Sequence, residues 1–237
     1  MNTVHPHHAL LGLLLLLLLL LLPSHVTAAN RAASFEQRCE REMLPKIAVH
    51  AHRPGFVVNN TVSSRVLNTR GDAVRVGQSM MGLTASTTRA EISIDGPGLA
   101  DAASGRECIA PIIEVDLSYQ PLDVFVAREF HPASCAYRAV FTHELQHVKV
   151  YADSLPVIER AVRAGLEERY AGKPLYAERG KALAALQEQI DGWLRPLIRA
   201  ELAKVERLQL ALDSDDESDK LSHSCQGEVA HLMGSSF

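Results

Sequence analysis

The hydrophobic pattern of this chain changes period once, at His131-Pro132, and that change restricts the available folds more than any other feature. Upstream, short β-type runs alternate with turn residues. The candidates are Phe56–Val62, Ala73–Val76, Met80–Thr87, Glu91–Ile94, Ile109–Leu117 and Asp123–Arg128, punctuated by Arg70-Gly71-Asp72 and Asp95-Gly96-Pro97-Gly98. Ser118-Tyr119-Gln120-Pro121-Leu122 reads as a hairpin connection between the last two. Downstream the apolar spacing becomes helical. Ser134 is placed to cap a helix over Cys135–Ala152, Asp153-Ser154-Leu155-Pro156 reads as a stop and restart, and a second helix follows over Leu155–Tyr170. A long helical stretch, Tyr176–Leu212, is expected to kink at Gly192 and Pro196. Strands first and helices afterwards predict an α+β fold, with a small twisted antiparallel or mixed sheet followed by helices.

Ala9–Leu22 is an almost unbroken leucine run of 14 residues. A membrane-crossing helix needs about 20 apolar residues, so the run reads as the core of a secretory signal, with Val26-Thr27-Ala28 as the cleavage pattern. The expected organisation is a signal segment over 1–28, an α+β core over 29–175 and a helical C-terminal extension over 176–237 packing on it. The expected location is secreted or periplasmic. A net charge of −4 argues against nucleic acid or an anionic membrane as partner, and no membrane insertion is expected after signal removal. Oligomeric state is not legible. All four cysteines, Cys39, Cys108, Cys135 and Cys225, follow the signal, which predicts two disulfides. Of the three pairings, Cys108–Cys135 with Cys39–Cys225 is preferred, because one closes a short loop and the other ties the ends.

His143-Glu144-Leu145-Gln146-His147 lies within the first predicted helix. Residues i and i+4 share a helix face, so the two imidazoles can share one Zn²⁺ ion, with Glu144 between them as general base. The competing reading is an amphipathic helix whose histidines and glutamate hydrogen-bond in an interior.

These residues resemble the zincin superfamily of zinc metallopeptidases; the specific family is not identified. Val140, Phe141, Leu145, Gln146 and Val148 agree with the uncharged flanks of that motif, and Lys149 departs from them. The resemblance implies hydrolysis of peptide bonds in a peptide or protein substrate, with metal ligands His143 and His147, and Glu144 taking a proton from the attacking water. It also implies an edge strand alongside extended substrate, for which Asp123–Ala127 is the candidate. For the third ligand the choice stays open. Glu167 has the spacing of thermolysin-like peptidases, Glu159 is nearer and could return on a helix hairpin, and Asp153 has the metzincin spacing, although Val150 stands where those families turn on glycine. His131, His223 and His231 are further candidates from loops. The alternative function is a secreted non-catalytic zinc-binding or envelope-associated binding protein.

Three other features receive bland readings. The acidic run Asp213–Asp219 reads as a solvated turn. His50 and His52 alternate as on a strand and read as a surface pair with no assigned role. Trp193 reads as a packing residue.

Overall fold

The structure is a computed structural model that describes residues 33–70 and 79–234. The signal segment and the candidate strand Ala73–Val76 lie outside the described residues.

The sheet that organises the fold is built on one long strand, β6 (Ile112–Val126). Its first half alternates strictly: Ile113, Val115, Leu117 and Tyr119 are buried, while Glu114, Asp116 and Ser118 face the other way. Along one edge β6 pairs in parallel with β1 (Lys46–His52) and then with the short β2 (Val57–Asn59). Along the other edge the 14-residue β3 (Gly82–Asp95) runs antiparallel to it. The sheet is therefore mixed, and with its helical C-terminal half the fold is α+β. A second, antiparallel sheet joins β4 (Gly98–Asp101), β5 (Arg106–Ile109) and β7 (Leu175–Glu178).

Four expectations need correction here. The predicted hairpin at residues 118–122 is absent, because β6 runs straight through Gln120-Pro121. Pro121 is tolerated because that edge changes partner there. Pairing with β1 ends at Ser118, pairing with β2 begins at Asp123, and β3 has an irregularity at Ser86/Thr88, so no ladder bond needs the missing N–H. For the same reason Asp123–Ala127 does not provide an edge strand: residues 123–125 lie between β2 and β3, and β3 has the edge. Tyr176 belongs to β7, not to a helix, since Leu175–Glu178 completes the ladder of β5. The disulfides are Cys39–Cys108 and Cys135–Cys225, closing spans of 69 and 90 residues. The first joins α1 (Phe35–Glu42) to β5, and the second joins the start of the long helix to the C-terminal segment. Short-loop closure was a poor guide because tertiary packing, not proximity in sequence, brought the thiols together.

The longest helix is α3 (Cys135–Tyr170), which follows the short α2 (Ser64–Leu67) and strands β1 to β6. Ser134 caps α3 as expected, its Oγ accepting from the Tyr137 N–H at 3.0 Å. The predicted break at Asp153–Pro156 does not occur, and 36 residues form one helix with Pro156 inside it. A single buried stripe explains its persistence: Ala136, Val140, Glu144, His147, Tyr151, Leu155, Ile158, Val162, Leu166 and Tyr170 recur at steps of three and four. Loss of one backbone bond at Pro156 is outweighed by burial of Leu155, Ile158, Val162 and Leu166 against the sheet and the C-terminal helices.

After β7 the chain forms α4 (Ala182–Gln189), a π-helical turn over Ile190–Leu194 that contains Gly192, and α5 (Arg195–Leu212) with Pro196 in its first turn. At one end of α3, Trp193 packs on Tyr170 and against Gly165, with Arg169 stacked over its ring. In the first half of α3, the final turn of α5 reaches His147. The two helices are thus antiparallel partners. Then α6 (Asp215–His223) and α7 (Glu228–Gly234) close the chain.

Candidate metal centre

Glu144 and His147 interrupt the apolar stripe of α3, and both are almost fully buried. A charged or imidazole side chain in such a place requires partners, and both find them. One helical turn apart, His143 and His147 converge, with Nε2 atoms 3.2 Å apart and ring centroids 5.0 Å apart. Asp213, the residue that ends α5, brings its Oδ1 to 3.1 Å from each of those nitrogens. The three donor atoms form a nearly equilateral triangle. Ligands at about 2.0–2.1 Å from a tetrahedral zinc ion stand about 3.4 Å from one another, close to the separations seen. Two nitrogens and one carboxylate oxygen are also a donor set that zinc accepts. His143 and His147 are largely covered, whereas the Asp213 side chain is 59% exposed, so the triangle faces solvent on its aspartate side.

The orientation of His147 is set by Gln209, one turn before Asp213 on α5. Gln209 Oε1 accepts from His147 Nδ1–H at 2.7 Å, and its amide Nε2 donates to the His147 carbonyl at 3.2 Å. With Nδ1 protonated, Nε2 keeps its lone pair for a cation, the arrangement in which a ligand histidine is held by a second shell of hydrogen bonds.

Glu144 lies on the β3 side. Thr84 Oγ1 donates to Glu144 Oε2 at 2.8 Å. Two residues earlier on the same strand, Gly82 leaves the space that the carboxylate occupies: a Cβ there would stand 2.4 Å from Glu144 Oε1. The strand thus grips the acid with one hydroxyl and one missing side chain.

Electrostatics follow from this packing. Burial raises the Glu144 pKa above its ordinary value, and the neighbouring His147, Thr84 and His143 only partly oppose it. For His147, burial disfavours the charged ring, but Asp213 and Glu144 outweigh that and raise its pKa. For Asp213, burial would raise the pKa, yet the hydrogen bonds and charges of His143 and His147 hold it well below the usual carboxylate range.

None of the three proposed carboxylate ligands joins the histidines. With α3 continuous, a rise of 1.5 Å per residue carries Glu159 about 18 Å and Glu167 about 30 Å along the axis from His147. Glu159 instead pairs with Arg163 at 2.9 Å, Glu167 is exposed, and exposed Asp153 pairs with Lys149. His131 and His223 bond locally, to the Ala133 N–H and near Asp219, and exposed His231 lies on α7. Asp213, Gln209, Thr84 and Gly82 were not anticipated. A usable signal existed for two of them: the α5 stripe Ile198, Val205, Gln209 continues at the next four-residue step to Asp213, inside the run that had read as a solvated turn. The rest of that run starts a helix, with Ser214 as its cap and Asp215, Asp216 and Glu217 in the first turn. A second cluster of metal-type residues, Cys135, Cys225 and Glu228, has no thiolate to offer because its cysteines are bonded to each other.

Comparison of the chain with protein-family models, with curated proteins and with solved structures gives no match.

Proposed function

We propose that this protein is a zinc-dependent peptidase with His143, His147 and Asp213 as metal ligands and Glu144 as the general base. The observation that carries the reading is the 3.1–3.2 Å triangle of Nε2, Nε2 and Oδ1 with a buried, pKa-raised carboxylate one residue from its first corner. A zinc ion so held would supply a Lewis acid for the scissile carbonyl and lower the pKa of a water to about 7. Glu144, the residue between the two histidine turns, would be the group that accepts a proton from the nucleophile and returns it to the leaving amine. Thr84 and Gly82 fix where the proton is held, and Gln209 fixes the ring of His147.

A peptide substrate is favoured by the position of β3. Among the described residues β3 pairs only with β6, so its outer edge offers unpaired backbone groups beside the residues that hold Glu144. An extended chain could add there as a further strand, bound through its backbone. Export from the cytoplasm belongs to the same proposal. It is supported by two disulfides, which persist in oxidising compartments.

The test is zinc stoichiometry and cleavage of a peptide library for the wild type, Glu144→Gln and Asp213→Ala. Glu144→Gln should keep the metal and lose cleavage, and Asp213→Ala should lose both. A wild type that holds one zinc yet cleaves no peptide would refute the peptidase reading. Full activity in Glu144→Gln would refute the assignment of the base.

A further inference from the structure

The sheet has a second face, turned away from α3, and its chemistry is unlike that of an ordinary solvated surface. On β1 the alternation that buries Val49 sends His50 and His52 outward. On β6 the same alternation sends out Glu114 and Asp116. Two imidazoles and two carboxylates, each pair spaced i and i+2, therefore meet on adjacent strands of one face. They form two neighbouring pairs that do not yet converge on one point: His50 Nε2 stands 3.5 Å from Glu114 Oε1, and His52 Nε2 donates to Asp116 Oδ1 at 2.8 Å. Asp116 is central, because in the parallel register it lies directly across from His50 while bonded to His52.

We propose that this face carries a second cation site, for a borderline divalent ion of the copper(II) and zinc(II) class, with His50, His52 and Asp116 as ligands and Glu114 as the fourth donor. Imidazole nitrogen with carboxylate oxygen is the donor mixture such ions take, and copper(II) binds tightest among them. The His50–Glu114 separation of 3.5 Å is close to that of neighbouring ligands in a tetrahedral shell, and an entering ion would replace the proton of the shorter His52–Asp116 hydrogen bond. The two rings are 6.5 Å apart at their centroids, against 5.0 Å for His143 and His147. All four side chains are 40–55% exposed, so rotation about side-chain bonds can close that difference without moving the strands. The site is independent of the helix pair, which lies across the sheet.

The experiment uses the full chain with His143→Ala and His147→Ala, so that the helix pair is absent, and compares it with the same chain also carrying His50→Ala and His52→Ala. Each is titrated calorimetrically with Cu²⁺ and examined by electron paramagnetic resonance, with circular dichroism as a check on folding. The expected result is one equivalent of Cu²⁺ with two-nitrogen hyperfine structure in the first protein. Adding the His50 and His52 substitutions should weaken binding at least 10-fold and remove that structure. A third chain, with Asp116→Asn in place of the histidine changes, should weaken binding while keeping both nitrogens. Failure of the first protein to bind Cu²⁺, or binding and spectra unaffected by His50 and His52, would overturn the proposal.

Discussion

Gly82→Ala adds one methyl group to the molecule, at the point where β3 touches the proposed base. The added Cβ would stand 2.4 Å from Glu144 Oε1, 2.8 Å from Cδ and 2.9 Å from Cγ, against about 3.4 Å for ordinary contact. The carboxylate must therefore retreat by about 1 Å. Neither side yields cheaply: Gly82 is laddered to Val126 of the central strand, and Glu144 is buried on α3 and bonded to Thr84. Overpacking of this kind costs about 1–3 kcal/mol, which for a chain of this size lowers the melting temperature by about 2–4 °C per kcal/mol. A displacement of about 1 Å at a reacting group costs on the order of 10²-fold in rate. Zinc affinity should hold, because the three ligands are not in the clash. The decisive assay is a double-mutant cycle read by chemical denaturation. The three nearest atoms all belong to Glu144, so in a Glu144→Ala background the Gly82→Ala change should cost almost nothing. An equal cost in both backgrounds would refute the reasoning, whatever the cleavage rates.

Other consequences can be measured on the same protein. Asp213→Ala should abolish stoichiometric zinc binding, while Asp153→Ala, Glu159→Ala and Glu167→Ala leave it intact; isothermal titration separates these, and zinc loss on changing Glu167 would overturn the ligand set. Gln209→Ala removes the acceptor for His147 Nδ1–H and should weaken zinc binding about 10–100-fold. Metal-free Glu144→Gln should be more stable than the metal-free wild type at neutral pH. Burial raises the Glu144 pKa, so this residue favours the fold below its ordinary 4.5, and that contribution is lost as pH rises through the raised value. Thermal melts of the two chains from pH 4 to 8 should diverge upward in pH, and parallel curves would contradict this. In the metal-free wild type the His147–Asp213 contact acts in both directions. The raised His147 pKa stabilises below 6.5 and fades as pH climbs through its folded value, while the lowered Asp213 pKa stabilises above 3.8 and fades in stronger acid. That contribution is therefore greatest between 3.8 and 6.5, and Asp213→Asn should flatten the stability profile across that window.

Features governed by local rules were legible in the residues alone. The change of period at His131-Pro132 marked where the main sheet gives way to the long helices, although α1 and α2 precede it and β7 follows; Ser134 marked the start of α3, and the four-residue spacing of His143 and His147 put two imidazoles on one helix face. Local signals failed where long-range burial outweighed them. Pro156 read as a break, but the stripe from Ala136 to Tyr170 holds the helix through it, and that continuity carries Glu159 and Glu167 away from the histidines. Pro121 read as a turn, but a change of partner strand left its missing N–H without consequence. The third corner of the metal triangle and the grip on Glu144 came from long-range packing. Asp213 and Gln209 are separated from His147 by 66 and 62 residues, and Thr84 from Glu144 by 60. Such partners meet because α5 and β3 bury apolar surface against α3, a cause that acts on whole elements: the four-residue step in α5 marks Gln209 and Asp213 as inward-facing, but short-range spacing does not say which residues they meet.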